Sequence, residues 1–441
     1  MPRARGPVLQ TPEKHAARAA ALWLMTGVLE DGISLADLLS RGSGPMTTLV
    51  PEDRARAQRL ATETLRHLRT CDQMLGPHLR LAPRLFVHNA LRLATYEIMG
   101  TGAASHGVVN AAVDLVRAAQ PDSKAPGLVN AVLRNIARRD PAEWQAATPA
   151  SLPKPFRKPL VAAWGGKIVT AMEAVQVHVP PLDLTLKAQE DAATWAETLG
   201  ARVLPGGSLR LPAGQQVSAL PGYAEGAWWV QDAAAALPAR LLAAQSSERV
   251  LDMCAAPGGK TLQLAATGAK VTALDISEAR MRRVSENLAR TRLAAKPIVE
   301  DALNYTPPML FDAILLDAPC SASGTVRRHP DLPYLRDLSD LADITALQAR
   351  LFDRAVGLLR PGGRLVFATC SLMPEEGEAQ AATALTRHAN LRAWDLEPKC
   401  AEMDLPAEWV TDGGALRLRP DHWAEIGGVD GFFIAGFTKA S

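Results

Sequence analysis

Cys320 and Cys370 stand in matching settings, Pro319-Cys320-Ser321 and Thr369-Cys370-Ser371, each closing a short apolar run. The same half of the chain carries a glycine-rich stretch, Cys254-Ala255-Ala256-Pro257-Gly258-Gly259-Lys260. A thiolate adds to carbon where an oxygen nucleophile is poor. Two strand-end thiols beside a nucleotide-type loop therefore point to covalent catalysis on a ring carbon, with a cofactor next to it. Cys71 and Cys400 read as small buried apolar residues, and Cys254 as packing within the loop. The five cysteines show neither metal-ligand spacing nor an even disulfide set. That usage fits a reduced, cytoplasmic protein without a metal.

The elements around these residues alternate. Arg249–Met253, Lys270–Asp275, Phe311–Asp317 and Arg364–Thr369 are apolar runs separated by helical patterns, and Gly431–Phe437 reads as a final strand. This is the signature of a doubly wound α/β domain, placed at 246–441. The loop follows the first of these strands and opens a helix near Gly259. Backbone N–H groups at such a turn favour negatively charged ligand groups, and glycines permit close approach. Asp275 ends the next strand, where a carboxylate accepts hydrogen bonds from ribose hydroxyls. Asp301 follows the third strand region and is placed to read an adenine edge. Asp317 ends the fourth. Cys254 through Lys260, with Asp275, Asp301 and Asp317, form the expected cofactor set. A P-loop competes, because Gly259-Lys260-Thr261 match its end, but its first glycine is Cys254 here and it leaves both strand-end thiols unused.

Residues 1–145 read as an all-helical domain. Apolar positions recur at helical spacing in Ala61–Met74, Leu85–Met99, Val108–Ala119 and Leu128–Ile136. Ala19–Leu29 imitates a signal peptide, but it is too short to span a bilayer and lacks a convincing cleavage site, so a buried helix is expected. The proline-rich stretch 141–159 reads as a linker. Residues 155–245 are mixed and read as a small α+β module, with a strand at 180–186 and a helix at 191–199.

The chain has 441 residues, 48% hydrophobic and 21% charged, with a formal net charge of +2. Two or three domains are expected, and charge alone announces no nucleic-acid partner. Residues 1–150 hold 18 Lys+Arg against 13 Asp+Glu, an excess of 5.

Leu251-Asp252-Met253-Cys254-Ala255-Ala256-Pro257-Gly258-Gly259-Lys260-Thr261 resembles the S-adenosylmethionine motif of RNA cytosine-5 methyltransferases. Asp317-Ala318-Pro319-Cys320-Ser321-Ala322-Ser323-Gly324 and Ala368-Thr369-Cys370-Ser371 resemble that family's two cysteine motifs. The helical domain, through Leu128–Arg134, is similar to the antitermination factor NusB. Together they resemble the bacterial Sun/Fmu branch, which methylates 16S rRNA. Ser323 departs from the threonine frequent there.

The resemblance implies S-adenosyl-L-methionine as cofactor and an RNA substrate, with the helical domain binding RNA. It assigns attack on cytosine C6 to Cys370 and help in product release to Cys320, although chemistry permits the reverse order. Asp317 is expected to hydrogen-bond cytosine N3 or N4, with Lys260 orienting it or facing the cofactor. Arg327 and Arg328 follow the Pro-Cys loop and are expected to bind phosphate. No membrane partner and a monomer are expected. The rival readings are a tRNA cytosine-5 methyltransferase and, from another class, a non-catalytic RNA-binding or antitermination protein with a vestigial catalytic domain.

Overall fold

The computed structural model describes residues 13–40 and 44–441. They fall into two compact units. One is helical, ends at Val179 and also takes the segment Val326–Asp337. The other holds Pro180–Thr325 and Leu338–Ser441.

In the helical unit, Ala16–Leu29 buries Leu22, Leu24, Met25 and Val28 in a core shared with Leu65, Leu91, Leu115 and Leu133. The signal-like segment is thus a core helix, and among the described residues no helix is long and apolar enough to cross a membrane. The pattern at 61–74 resolves into two helices, Pro51–Arg66 and Leu68–Leu75, broken at His67. The expected linker at 141–159 is instead helical, in Pro141–Ala147 and Lys154–Trp164. Proline is tolerated in a first helical turn, where its missing N–H costs no hydrogen bond. Asp140 and Glu143 complete a capping box around Pro141.

The α+β module also divides differently from expectation. Its helices Lys154–Trp164 and Gly166–Gln176 belong to the helical unit, and its strands to the second unit. Those strands are β1 (Leu182–Leu186), β2 (Arg202–Val203), β3 (Leu209–Leu211) and β4 (Trp228–Val230), in the order β2-β3-β1-β4. A buried Arg210–Asp183 pair crosses from β3 to β1, with bonds of 2.7 and 2.8 Å.

The large sheet contains β5 (Arg249–Met253), β6 (Lys270–Asp275), β7 (Lys296–Val299), β8 (Phe311–Asp317), β9 (Leu359–Thr369), β10 (Leu391–Ala393), β11 (Leu416–Leu418) and β12 (Phe432–Lys439). The order is β10-β12-β9-β8-β5-β6-β7, with β11 on β12. β5 to β9 pair in parallel and β12 runs antiparallel to β9. Along β8, Ala313 and Leu315 enter one apolar core while Ile314 and Leu316 enter another. Both faces are covered, which is why these strands read as unbroken apolar runs. The chain winds from β5 outward to β7, then returns to place β8 on the other side of β5. That reversal opens a crevice at the carboxyl ends of β5 and β8, where such sheets bind ligands.

Candidate active site

The turn after β5 is tightly specified. Cys254 adopts φ +61°, a left-handed conformation that costs energy for any residue but glycine. Gly258 has φ +104° and starts the helix Gly259–Ala266. A Cβ on Gly258 would press Val284 at 3.2 Å, and one on Gly259 would press the Gln231 side chain at 3.2 Å. These glycines therefore serve backbone conformation and close packing of the turn against Val284 and Gln231. Ala255 N–H donates to the Leu274 carbonyl and Ala256 N–H to Asp275 Oδ2, at 3.0 and 3.1 Å. The loop is thereby tied to β6.

Asp275 is buried and also accepts Ser277 N–H at 2.9 Å. Asp301 lies beyond the end of β7, where Leu303 N–H and Asn304 Nδ2 bind its carboxylate at 3.0 and 3.2 Å. Asp252, which the sequence reading did not single out, is fully buried at the end of β5. Its Oδ2 accepts the Thr261 hydroxyl at 2.5 Å, and its Oδ1 has no hydrogen-bond partner among the described residues. Burial pushes its carboxyl up to about 7, against the Thr261 hydrogen bond and the Lys260 charge. Ile276, beside Asp275, is 71% exposed and offers an apolar surface at the same edge.

Lys260 Nζ reaches Asp317 Oδ2 at 2.7 Å, so the helix after β5 and the end of β8 meet across the crevice. Burial alone would lower the lysine. The Asp317 charge and hydrogen bond outweigh that and hold it above its ordinary value. Lys260 also lies 5.3 Å over the Phe432 ring.

Cys320 and Cys370, fifty positions apart, bring their sulfurs to 3.4 Å. Parallel pairing of β8 and β9 produces this meeting. Gly324 N–H donates to the Cys370 carbonyl at 3.0 Å, and Gly431 N–H to the Gly324 carbonyl at 2.8 Å. A Cβ on Gly324 would collide with the Gly431 backbone, so both glycines allow main chain to meet main chain. The Cys320 thiol is pushed well above its ordinary range, first by its hydrogen bond to Cys370 and then by burial. It stays protonated at neutral pH and so carries a proton that it can donate to Cys370. Cys254 is likewise held protonated, by burial and then by Asp275 and Asp317.

Arg327 departs from expectation. It is fully buried within the helical unit, and Arg66 donates to its carbonyl at 2.8 Å. A side chain removed from water cannot read phosphate on the surface. Arg328 is half-buried. The structure also brings in residues the sequence reading passed over. Glu376, Gln348 and the serines beside both cysteines share a buried hydrogen-bond network.

The doubly wound sheet, the glycine turn and the strand-end acids define an S-adenosylmethionine-dependent methyltransferase. A family model described as 16S rRNA methyltransferase RsmB/F matches residues 239–438, and one for the NusB family matches 15–138. The ribosomal RNA small subunit methyltransferase B of Serratia proteamaculans is 36% identical over 402 residues, covering 85% of this chain and 91% of its own. That of Erwinia tasmaniensis is 35% identical over 448 residues, covering 96% and 98%. The crystal structure of PH0851 shares the fold, with TM-score 0.73 at 20% identity over 98% of this chain and 100% of that one. A methyltransferase homolog from Pyrococcus horikoshii gives TM-score 0.53 at 27% identity, covering 65% and 95%. The chain belongs to the family of the small-subunit ribosomal RNA methyltransferase B proteins, and it is an RNA methyltransferase.

Proposed function

We propose that this protein methylates C5 of a cytosine in 16S rRNA through a transient bond between Cys370 and C6. The observation that carries the reading is the pair of thiols at 3.4 Å beside the Lys260–Asp317 bridge. Cytosine C5 is too weak a nucleophile to be methylated unaided. Cys370 thiolate adding to C6 forms an S–C6 bond and turns the ring into an enamine, nucleophilic at C5. S-adenosylmethionine, when bound, supplies an electrophilic methyl group on a sulfonium sulfur. C5 takes that methyl with the enamine electron pair as the methyl–sulfur bond breaks, leaving a neutral thioether. A solvent base then takes the C5 proton, its C–H pair restores the C5–C6 double bond, and the S–C6 bond breaks with its pair on Cys370.

Each residue has a part in this sequence. Asp317, held by Lys260, accepts a hydrogen bond from cytosine N4–H or from a protonated N3, so that the negative charge attack puts on the ring is met by a proton at N3. Cys320, a protonated thiol against Cys370, donates a hydrogen bond to the departing sulfur and favours its expulsion. Asp275 and the 254–260 turn hold the nucleoside and amino-acid parts of the cofactor, with Ile276 against its base. The target nucleotide leaves its stack to bring C6 against these half-buried thiols.

Removing each thiol tests the reading. Cys370→Ala abolishes methylation and any protein–RNA adduct. Cys320→Ala allows attack and transfer but slows expulsion, so an adduct survives denaturing electrophoresis. If Cys370→Ala traps RNA and Cys320→Ala does not, the roles are reversed. Bisulfite sequencing of RNA from a deletion strain identifies the substrate, and loss of a mark in tRNA alone would overturn the 16S assignment.

A further inference from the structure

The two cysteine loops rest on one buried acid. Glu376 is fully buried in the turn after Cys370, and among the described residues no cation pairs with it. Its Oε1 accepts Ser321 N–H at 2.8 Å and Gln348 Nε2 at 3.1 Å. Its Oε2 accepts the hydroxyls of Ser321 and Ser371, each at 2.5 Å. Ser321 follows Cys320 and Ser371 follows Cys370. The Ser323 hydroxyl bridges both serines, at 3.0 and 3.2 Å, and accepts Leu372 N–H at 2.9 Å. Gln348, from the helix Leu341–Leu358, also donates to the Pro319 carbonyl at 2.9 Å.

A buried carboxylate without a counter-charge is costly unless donors surround it. Here three of the four donors come from the residues that directly follow the two thiols, and the fourth, Gln348, also holds the Pro319 carbonyl ahead of Cys320. An apolar residue would fill the volume without that cost, and it would leave the two loops unjoined. We propose that Glu376 is a positioning residue: through Ser321 and Ser371 it clamps the Cys320 and Cys370 loops so that the first thiol can donate to the second. The role rests on the cysteine chemistry proposed above. Its charge also helps keep Cys320 protonated.

Glu376→Gln keeps the shape and breaks the clamp. With its oxygen toward the serine hydroxyls, its amide N–H₂ faces the Ser321 N–H and Gln348 Nε2, donor against donor. Loss of thiol alignment should lower kcat by roughly 100-fold, with S-adenosylmethionine affinity near wild type and KM for RNA falling along with kcat, because the slowed step follows attack. The variant should accumulate a denaturation-resistant RNA adduct, as Cys320→Ala does. The double variant should turn over no more slowly than Cys320→Ala alone, because both remove the same step. A general loss of stability would not produce that partition or that non-additivity.

If Cys320→Ala traps RNA while folded Glu376→Gln turns over normally without an adduct, the clamp is overturned and the cysteine chemistry stands. If Cys320→Ala traps nothing, the cysteine chemistry fails, and oxidation by diamide decides about the clamp without RNA. A Cys320–Cys370 disulfide forming about 10-fold more slowly in Glu376→Gln supports it; an unchanged rate overturns it. Should Glu376→Gln not fold, Ser371→Ala removes one hydroxyl donor, and the same assays should show a smaller loss of about 10-fold.

Discussion

The cofactor edge and the thiol pocket lie at the carboxyl ends of neighbouring strands, yet they are built in different ways. The edge is local. A turn of seven residues, held by Cys254 and Gly258 in left-handed conformations, is tied to the acid at the end of the next strand. The pocket is assembled from residues far apart in sequence. Cys320, Gln348, Cys370 and Gly431 come from four segments, and a buried acid joins three of them. Local sites depend on backbone conformation, whereas assembled sites depend on a shared polar anchor. Cys254 shows the contrast within one residue type. It sits by the cofactor turn as a protonated thiol among acids, while Cys320, also protonated, has a second sulfur to act on.

The largest expected effect separates the regions outright. Cys370→Ala should reduce methylation by at least roughly 10⁴-fold, the scale for losing a nucleophile, and leave S-adenosylmethionine affinity unchanged by calorimetry. Weaker cofactor binding in that variant would show that the two regions are not separable. Lys260→Met strikes the bridge between them. It should lower kcat by roughly 10–100-fold, because Asp317 loses the cation that holds it, and single-turnover kinetics should place the loss before the adduct. Asp275→Ala should weaken S-adenosylmethionine by about 1–3 kcal/mol, roughly 5–150-fold in Kd, without altering the chemistry of bound RNA. Unchanged affinity would remove Asp275 from the ribose.

The smallest effect is on pH. Asp252 titrates at about 7 in the fold against 3.8 otherwise. A raised carboxyl binds more protons folded than unfolded between those values, so its contribution is full below 3.8 and is lost as pH rises through 7. The melting temperature should therefore fall between about pH 4 and 7, and Asp252→Asn should flatten that fall. An identical slope in both proteins would mean that Asp252 stays ionised.

Much of the α/β unit was legible because its strands are buried on both faces and read as apolar runs. β5, β6 and β8 fall where the pattern places them. β7, β10 and β11 lie at or beyond the sheet's margins, are at most four residues long, and leave little periodic signal. Prolines misled at 141–159, since one residue type marks both linkers and helix starts. Arg327 misled because a basic cluster beside a catalytic loop looks like surface, whereas the chain at Val326–Asp337 folds into the helical unit.

The sequence by itself determined the family, and it carries the glycine turn and both cysteine motifs as contiguous residues of distinct chemical type. Only the tertiary structure decided that the thiols meet at 3.4 Å, that Lys260 bridges to Asp317, and that Glu376 underlies both cysteine loops. Those relations span up to 57 positions. They follow from which strands lie side by side and which polar groups must find partners once buried, and no local pattern of residues encodes either.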